Sequence, residues 1–147
     1  MPIVVDTSVA LKWALSEVHS ANATALRRDM LLRREDIVAP SLLLDEATKT
    51  LYQAGRDGIV PWPSVEQGLD DILIVVRLRI STLATARRAV ALSRMTTQTY
   101  VYGTQFLALA ERLNCDLWTA DDRFQRAMQR QGFARVRAIS IYPLPTT

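Results

Sequence analysis

The sequence predicts an α/β protein, a three-layer α/β/α sandwich with a central parallel sheet of about four or five strands. Two observations carry that expectation. Short β-branched or apolar runs at residues 3–5, 36–40, 78–80, 116–119 and 136–141 are separated by longer segments whose apolar residues recur with helical period. The 147 residues are 49% hydrophobic and 22% charged, with no internal repeat and no linker long enough to divide 1–147, so a single domain is expected.

Ile3-Val4-Val5 has the β-branched character of a buried strand; Asp6, Thr7 and Ser8 follow as capping residues, and residues 9–15 have helical period. Residues 21–34 place Ala25, Leu26, Leu31 and Leu32 on one helical stripe, and Ile37-Val38-Ala39-Pro40 is a second strand. Ser41 is expected to cap a helix over 42–55 whose stripe holds Leu43, Ala47, Leu51 and Ala54. The turn Pro61-Trp62-Pro63 leads into a weaker helix over 64–76 and a strand at 78–80. Helices are expected over 82–95 and 101–113, a strand at 116–119, a helix from about 122 to 131 stopped by Gly132, and a last strand over 136–141. Trp13 and Trp118 belong to the predicted core, whereas Trp62, between two prolines, is expected at the surface.

Composition removes several chemistries. One cysteine, Cys115, and one histidine, His19, exclude an intrachain disulfide, a Cys/His zinc site and any nucleophilic triad not built on His19, which falls in a polar connection between helices. Charge is uneven: 7 basic and 11 acidic residues up to Asp71 give −4, and 11 basic and 4 acidic residues beyond it give +7. Sixteen of the 18 basic residues are arginine, whose planar fork suits phosphate. No apolar run approaches the roughly 20 residues that span a bilayer, and Asp6 interrupts the first one, so neither a signal peptide nor a membrane helix is expected and the expected address is the cytoplasm.

In parallel sheets ligands bind beyond the carboxyl ends of the strands. Asp6 and Asp121 stand just after predicted strands, and Glu46 lies in the first half of the helix that follows another, so three carboxylates distant in sequence can meet at one edge. A site of hard oxygen ligands without histidine or thiolate suits Mg²⁺ or Mn²⁺. Each acid also has an ordinary role, Asp6 and Asp121 as helix caps and Glu46 as a solvated helix residue, and spacing does not rank them above their neighbours Asp45 and Asp122.

Four ordered blocks decide that ranking. Val4-Val5-Asp6-Thr7-Ser8-Val9, Ala39-Pro40-Ser41-Leu42-Leu43-Leu44-Asp45-Glu46, Tyr102-Gly103-Thr104-Gln105-Phe106-Leu107-Ala108-Leu109-Ala110-Glu111 and Leu117-Trp118-Thr119-Ala120-Asp121-Asp122-Arg123-Phe124 resemble the motifs of PIN-domain proteins, most closely the VapC-type toxin ribonucleases. The resemblance runs from residue 3 to about residue 140. It implies a PIN-like fold, a divalent-metal-dependent endoribonuclease that is the toxin of a toxin–antitoxin pair, Mg²⁺ or Mn²⁺ as cofactor, and a cognate antitoxin and a second copy of the chain as partners. The first family acid falls on Asp6, the second on Glu46 and the last on Asp121, with Thr7, Ser8 and Thr119 at the flanking hydroxyl positions and Asp122 alongside.

The third acid is where the chain departs from the family. Members typically carry Tyr-Asp-Ala where this chain carries Tyr102-Gly103-Thr104, and the block aligns without a gap through Asp121, so the acid is replaced rather than displaced. Weaker metal binding and attenuated activity follow, unless water, Thr104 or Asp122 fills the vacancy. Restoring the acid by Gly103→Asp is expected to disturb folding little, because aspartate is tolerated in a first helical turn.

RNA contacts are expected from arginines of the acid-free stretch that includes Arg77, Arg79, Arg87, Arg88 and Arg94, with Arg87 and Arg88 foremost, and from Arg123 and Arg126 beside Asp121. The ordinary account of each is a solvated helix face. Single-stranded or looped RNA is the expected substrate. Two other readings stand beside the enzyme: a catalytically weak module that still binds antitoxin or RNA, and a receiver-like phosphoacceptor domain, which the scattered Gly55, Gly58, Gly68, Gly103 and Gly132 leave without a phosphate loop.

Overall fold

The computed structural model describes residues 1–146. In chain order its elements are β1 (Ile3–Val5), α1 (Thr7–Ala10) continuing as a 3-10 turn (Leu11–Trp13), α2 (Ser20–Arg33), β2 (Ile37–Pro40), α3 (Leu42–Arg56), α4 (Trp62–Leu73) and β3 (Val76–Arg79). Then come α5 (Leu83–Met95), α6 (Tyr102–Leu113), β4 (Leu117–Thr119), α7 (Asp122–Arg130), β5 (Val136–Ala138) and a second 3-10 turn (Ile139–Ile141).

The strands form one five-stranded sheet in the order β3-β2-β1-β4-β5, and every pairing is parallel. β1 is central because it is apolar on both faces: Val4 and Val5 are fully buried, with neighbours Val38, Leu117 and Trp118 across the ladders. The chain steps outward from β1 through β2 to β3, then crosses back to β4 and β5. Right-handed crossovers therefore put α1–α4 on one face and α5–α7 on the other, and the packing of α3 on α4 and of α5 on α6 follows. β3 and β5 are the edges; each alternates buried positions with exposed arginines, Arg77 and Arg79 on β3 and Arg137 on β5.

The expected sandwich is borne out, with local differences that have physical reasons. The predicted strand over 136–141 ends at Ala138, because β4 offers only three partners, Leu117, Trp118 and Thr119, and the chain turns once the ladder runs out. The predicted strand at 78–80 instead spans Val76–Arg79, matched residue for residue to Ile37–Pro40. Ser41 gives no side-chain cap: its backbone is already helical and its N–H donates to the Arg79 carbonyl at 2.8 Å. The helix expected over 64–76 begins at Trp62, since Pro63 fits a first helical turn whose N–H groups have no partner within the helix. Trp62 stays 54% exposed, as expected, yet its ring lies over α3 beside Tyr52 with 5.8 Å between centroids.

That Trp62 contact explains Gly55. A Cβ there would stand 2.8 Å from the Trp62 ring and from Val65 Cγ2, so only glycine lets α4 close on the end of α3. Gly55→Ala gains helix propensity of about 1 kcal/mol but overpacks this corner at a cost of about 1–3 kcal/mol. The expected outcome is a lower urea midpoint and melting temperature; a variant as stable as the parent would show that α4 backs away freely.

Candidate active site at the carboxyl edge of the sheet

Asp6 follows the last residue of β1 and extends the β1–β4 ladder by one bond, its N–H donating to Trp118 O at 3.1 Å. Its side chain is 9% exposed and caps α1, with Oδ1 accepting from the Val9 N–H at 3.2 Å and from Ser8 Oγ at 2.5 Å. Thr119 Oγ1 donates to Oδ2. The direction of these bonds is fixed by backbone donors behind them: Ala120 N–H donates to Ser8 Oγ at 2.9 Å and Asp121 N–H to Thr119 Oγ1 at 3.0 Å. Each hydroxyl, already accepting, points its own proton at Asp6. Burial pushes the Asp6 pKa up to about 6, against the downward pull of Ser8, Thr119 and Val9, and the negative charge of Asp121 adds to the rise.

Glu46 lies in α3, and its Oε1 accepts from Thr7 Oγ1 at 2.8 Å, which joins the helix after β2 to the turn after β1. Burial raises its pKa, while the Thr7 bond and the positive charge of Lys49 oppose the rise. Asp121 caps α7, its Oδ1 accepting from Phe124 N–H at 3.0 Å. Asp45 and Asp122 are exposed and, among the described residues, accept no hydrogen bond. The structure thus brings Asp6, Glu46, Asp121, Thr7, Ser8 and Thr119 to one edge, at the point where the chain order of the sheet reverses between β1 and β4.

In Glu46 and Asp121 one carboxylate oxygen is anchored and, among the described residues, the other has no protein donor; Asp6 Oδ2 carries the single Thr119 bond. The acids nevertheless do not close into a cage: among the described residues no three Asp, Glu, His or Cys side chains stand together closely enough to hold one ion. This all-oxygen donor set fits a hard divalent ion that keeps much of its water and takes one or two carboxylates, and it does not fit an ion enclosed by protein.

Gly103 lies in the first turn of α6, half-buried, and faces α7. A Cβ there would meet the Phe124 ring at 2.9 Å, so the space a side chain at this position would take is packed by an aromatic ring. This corrects the expectation that Gly103→Asp is nearly free of cost. Thr104 does not turn to the acid edge: it is fully buried against α5, its hydroxyl 2.7 Å from that of Ser93. Arg88 forms a two-bond ion pair with Glu111, at 2.8 and 3.0 Å, eight residues beyond Gly103 along α6 and so about 12 Å down the helix. Its guanidinium is engaged away from the acid edge. Arg87 is exposed on the same half of α5, whereas Arg123 and Arg126 are exposed on α7 beside Asp121 and, among the described residues, form no ion pair. Sequence reasoning missed Phe124 as a wall of the site; its place three residues after a capping aspartate, in the first turn of α7, was the available signal.

The position of Asp6 makes stability depend on pH. In metal-free protein its native pKa of about 6 exceeds its ordinary value of 3.8, so the folded state holds the proton more tightly than the unfolded chain. This contribution to stability is present below about pH 4 and lost as pH rises through about 6. Asp6→Asn is expected to stabilise the metal-free protein at pH 8 by about 1–2 kcal/mol, with the gain shrinking towards pH 4. Paired urea melts at the two pH values check this; a destabilisation that is equal at both would refute it.

Comparison with known proteins is consistent with this geometry. No curated protein matches the sequence. Among solved structures the chain resembles the crystal structure of PAE2754 from Pyrobaculum aerophilum with a TM-score of 0.69 at 16% identity, covering 95% of this chain and 85% of that one, a likeness of fold. The PIN domain model matches residues 3–128, which takes in both β1 with Asp6 and β4 with Asp121. A match over that span places the chain in the PIN-domain family, whose members are generally metal-dependent nucleases acting on RNA.

Proposed function

We propose that this chain is an endoribonuclease of the VapC type, the toxin of a toxin–antitoxin pair, dependent on Mg²⁺ or Mn²⁺ and attenuated at Gly103. The observation that supports it best is the buried Asp6 carboxylate, ringed by donors and bordered by Asp121 and Glu46, with no cationic side chain in an ion pair with any of the three among the described residues. Asp6 and Asp121 are the residues that would hold the ion, with Glu46 reaching it directly or through water. When bound, the ion supplies Lewis-acid neutralisation of the scissile phosphodiester and lowers the pKa of water.

The remaining steps belong to the protein. Glu46, kept in one orientation by Thr7 and with a raised pKa, accepts at Oε2 the proton of the attacking water. The water oxygen bonds to phosphorus, the bond to the leaving ribose oxygen breaks, and that oxygen takes a proton from solvent. Ser8 and Thr119 keep the Asp6 oxygens aimed while charge develops. Arg123 and Arg126 hold the flanking phosphates of single-stranded RNA. The same reading assigns a homodimeric state, a cytoplasmic address and a cognate antitoxin that covers the site.

A second reading, an inactive module that binds antitoxin or RNA, is favoured by one observation: the Phe124 ring packed against Gly103. RNA cleavage by the parent and by Gly103→Asp, each with Mg²⁺, with Mn²⁺ and with EDTA, separates the two. The nuclease reading predicts slow cleavage that EDTA and Asp6→Asn abolish, and a gain of about tenfold or more in Gly103→Asp, a loss of roughly 1.4 kcal/mol from the barrier. The restored acid must displace Phe124, so Gly103→Asp is also expected to lose about 1–3 kcal/mol of stability, relieved in part by adding Phe124→Leu. RNA binding without cleavage in parent and variant alike would select the inactive module.

A further inference from the structure

We infer that Tyr100 and Tyr102 form a nucleobase-stacking subsite at the rim of the acid edge, for a base of single-stranded RNA next to the scissile phosphate; this rests on the nuclease reading above. The two rings stack on each other with 6.0 Å between centroids and 20° between planes, and they are 70% and 52% exposed. The core does not require them, since α6 packs through Thr104, Phe106, Leu107, Ala108, Leu109 and Ala110. The pair is already closed on itself, so a base would add to its free outer face.

The platform is built on a fixed backbone. The hydroxyls of Ser93 and Thr104, 2.7 Å apart and buried, reach the carbonyls of Tyr100 and Val101, each at 3.1 Å, and Gln98 N–H donates to Ser93 O at 2.9 Å. Rings carried on a backbone tied down before the ligand arrives have less entropy to lose on binding. Position and charge then select the occupant. Tyr102 directly precedes Gly103, which faces Phe124, the residue whose N–H is capped by Asp121. Arg94, next to Ser93, and Arg123, next to Phe124, are exposed and unpaired among the described residues, in a half of the chain with net charge +7. Exposed aromatics in a segment that also carries unpaired arginines fit a strand that offers bases and phosphates together.

The test compares two probes of equal charge in EDTA, where no cleavage occurs: a single-stranded oligouridylate of about 10 nucleotides and an abasic oligonucleotide of the same length. The parent is expected to bind the base-bearing probe about tenfold more tightly by fluorescence anisotropy, Tyr100→Ala and Tyr102→Ala to lose most of that preference, and Tyr102→Trp to keep it. The dependence of affinity on salt, set by the arginines, stays unchanged in the tyrosine variants. Equal affinity of the parent for both probes, or binding of neither, overturns the subsite, whereas the nuclease reading stands or falls separately on cleavage with Mg²⁺ or Mn²⁺. Alanine variants that keep the base preference but sediment as a smaller species overturn the proposal in favour of a protein interface.

Discussion

A carboxylate buried without a cation beside it is costly, and much of this molecule is arranged around meeting that cost at Asp6. Its charge tolerates burial only because Ser8, Thr119 and the Val9 amide all donate to it. Those donors come from two elements and set three conditions: α1 must start directly after β1, β4 must lie against β1, and the pairing of Val5 with Trp118 must hold for Thr119 to arrive opposite Asp6. A shift of one residue in that register would move Thr119 to the other face of the sheet and leave the carboxylate short of a donor. The polar bonds thus help fix strand alignment alongside the apolar core, and a buried carboxylate sits where the chain order of the sheet reverses.

An acid in place of Gly103 would change packing as well as charge. A carboxylate in the first turn of α6 would push its negative field toward an Asp6 whose pKa already lies above the ordinary range. With glycine there, the Phe124 ring of α7 closes on the first turn of α6, and apolar contact stands where a carboxylate would bring repulsion. Stability and metal affinity pull in opposite directions at such a site, because like charges gathered to hold an ion repel one another whenever the ion is absent.

Much of the fold was legible in the sequence because strand and helix patterns alternate cleanly and Ile3-Val4-Val5 is apolar on both faces. Asp6 and Asp121 were legible as edge residues because each follows a strand, and Glu46 because it lies early in the helix after another, but only the resemblance of the four blocks set Glu46 and Asp121 apart from Asp45 and Asp122. What could not be read locally depends on partners distant in sequence. Strand ends at Ala138 and Val76 were set by the lengths of β4 and β2, the silence of Ser41 by the Arg79 carbonyl, and the fate of Arg88 by Glu111 on another helix. The failure of three acids to close on one centre is likewise a matter of side-chain geometry that spacing does not encode.

The exposed arginines of the outer strands also limit how far the sheet can extend. A parallel sheet with bare edges is a template that a second sheet can extend. Here Arg77 and Arg79 guard one margin and Arg137 the other, with Arg77 tied to Asp36 and Arg137 lying 4.9 Å above the Trp118 ring. Joining two like margins would set guanidinium against guanidinium and take both out of water. The sheet therefore stops at five strands with guanidinium groups on both margins, and extending it would require stripping them of water.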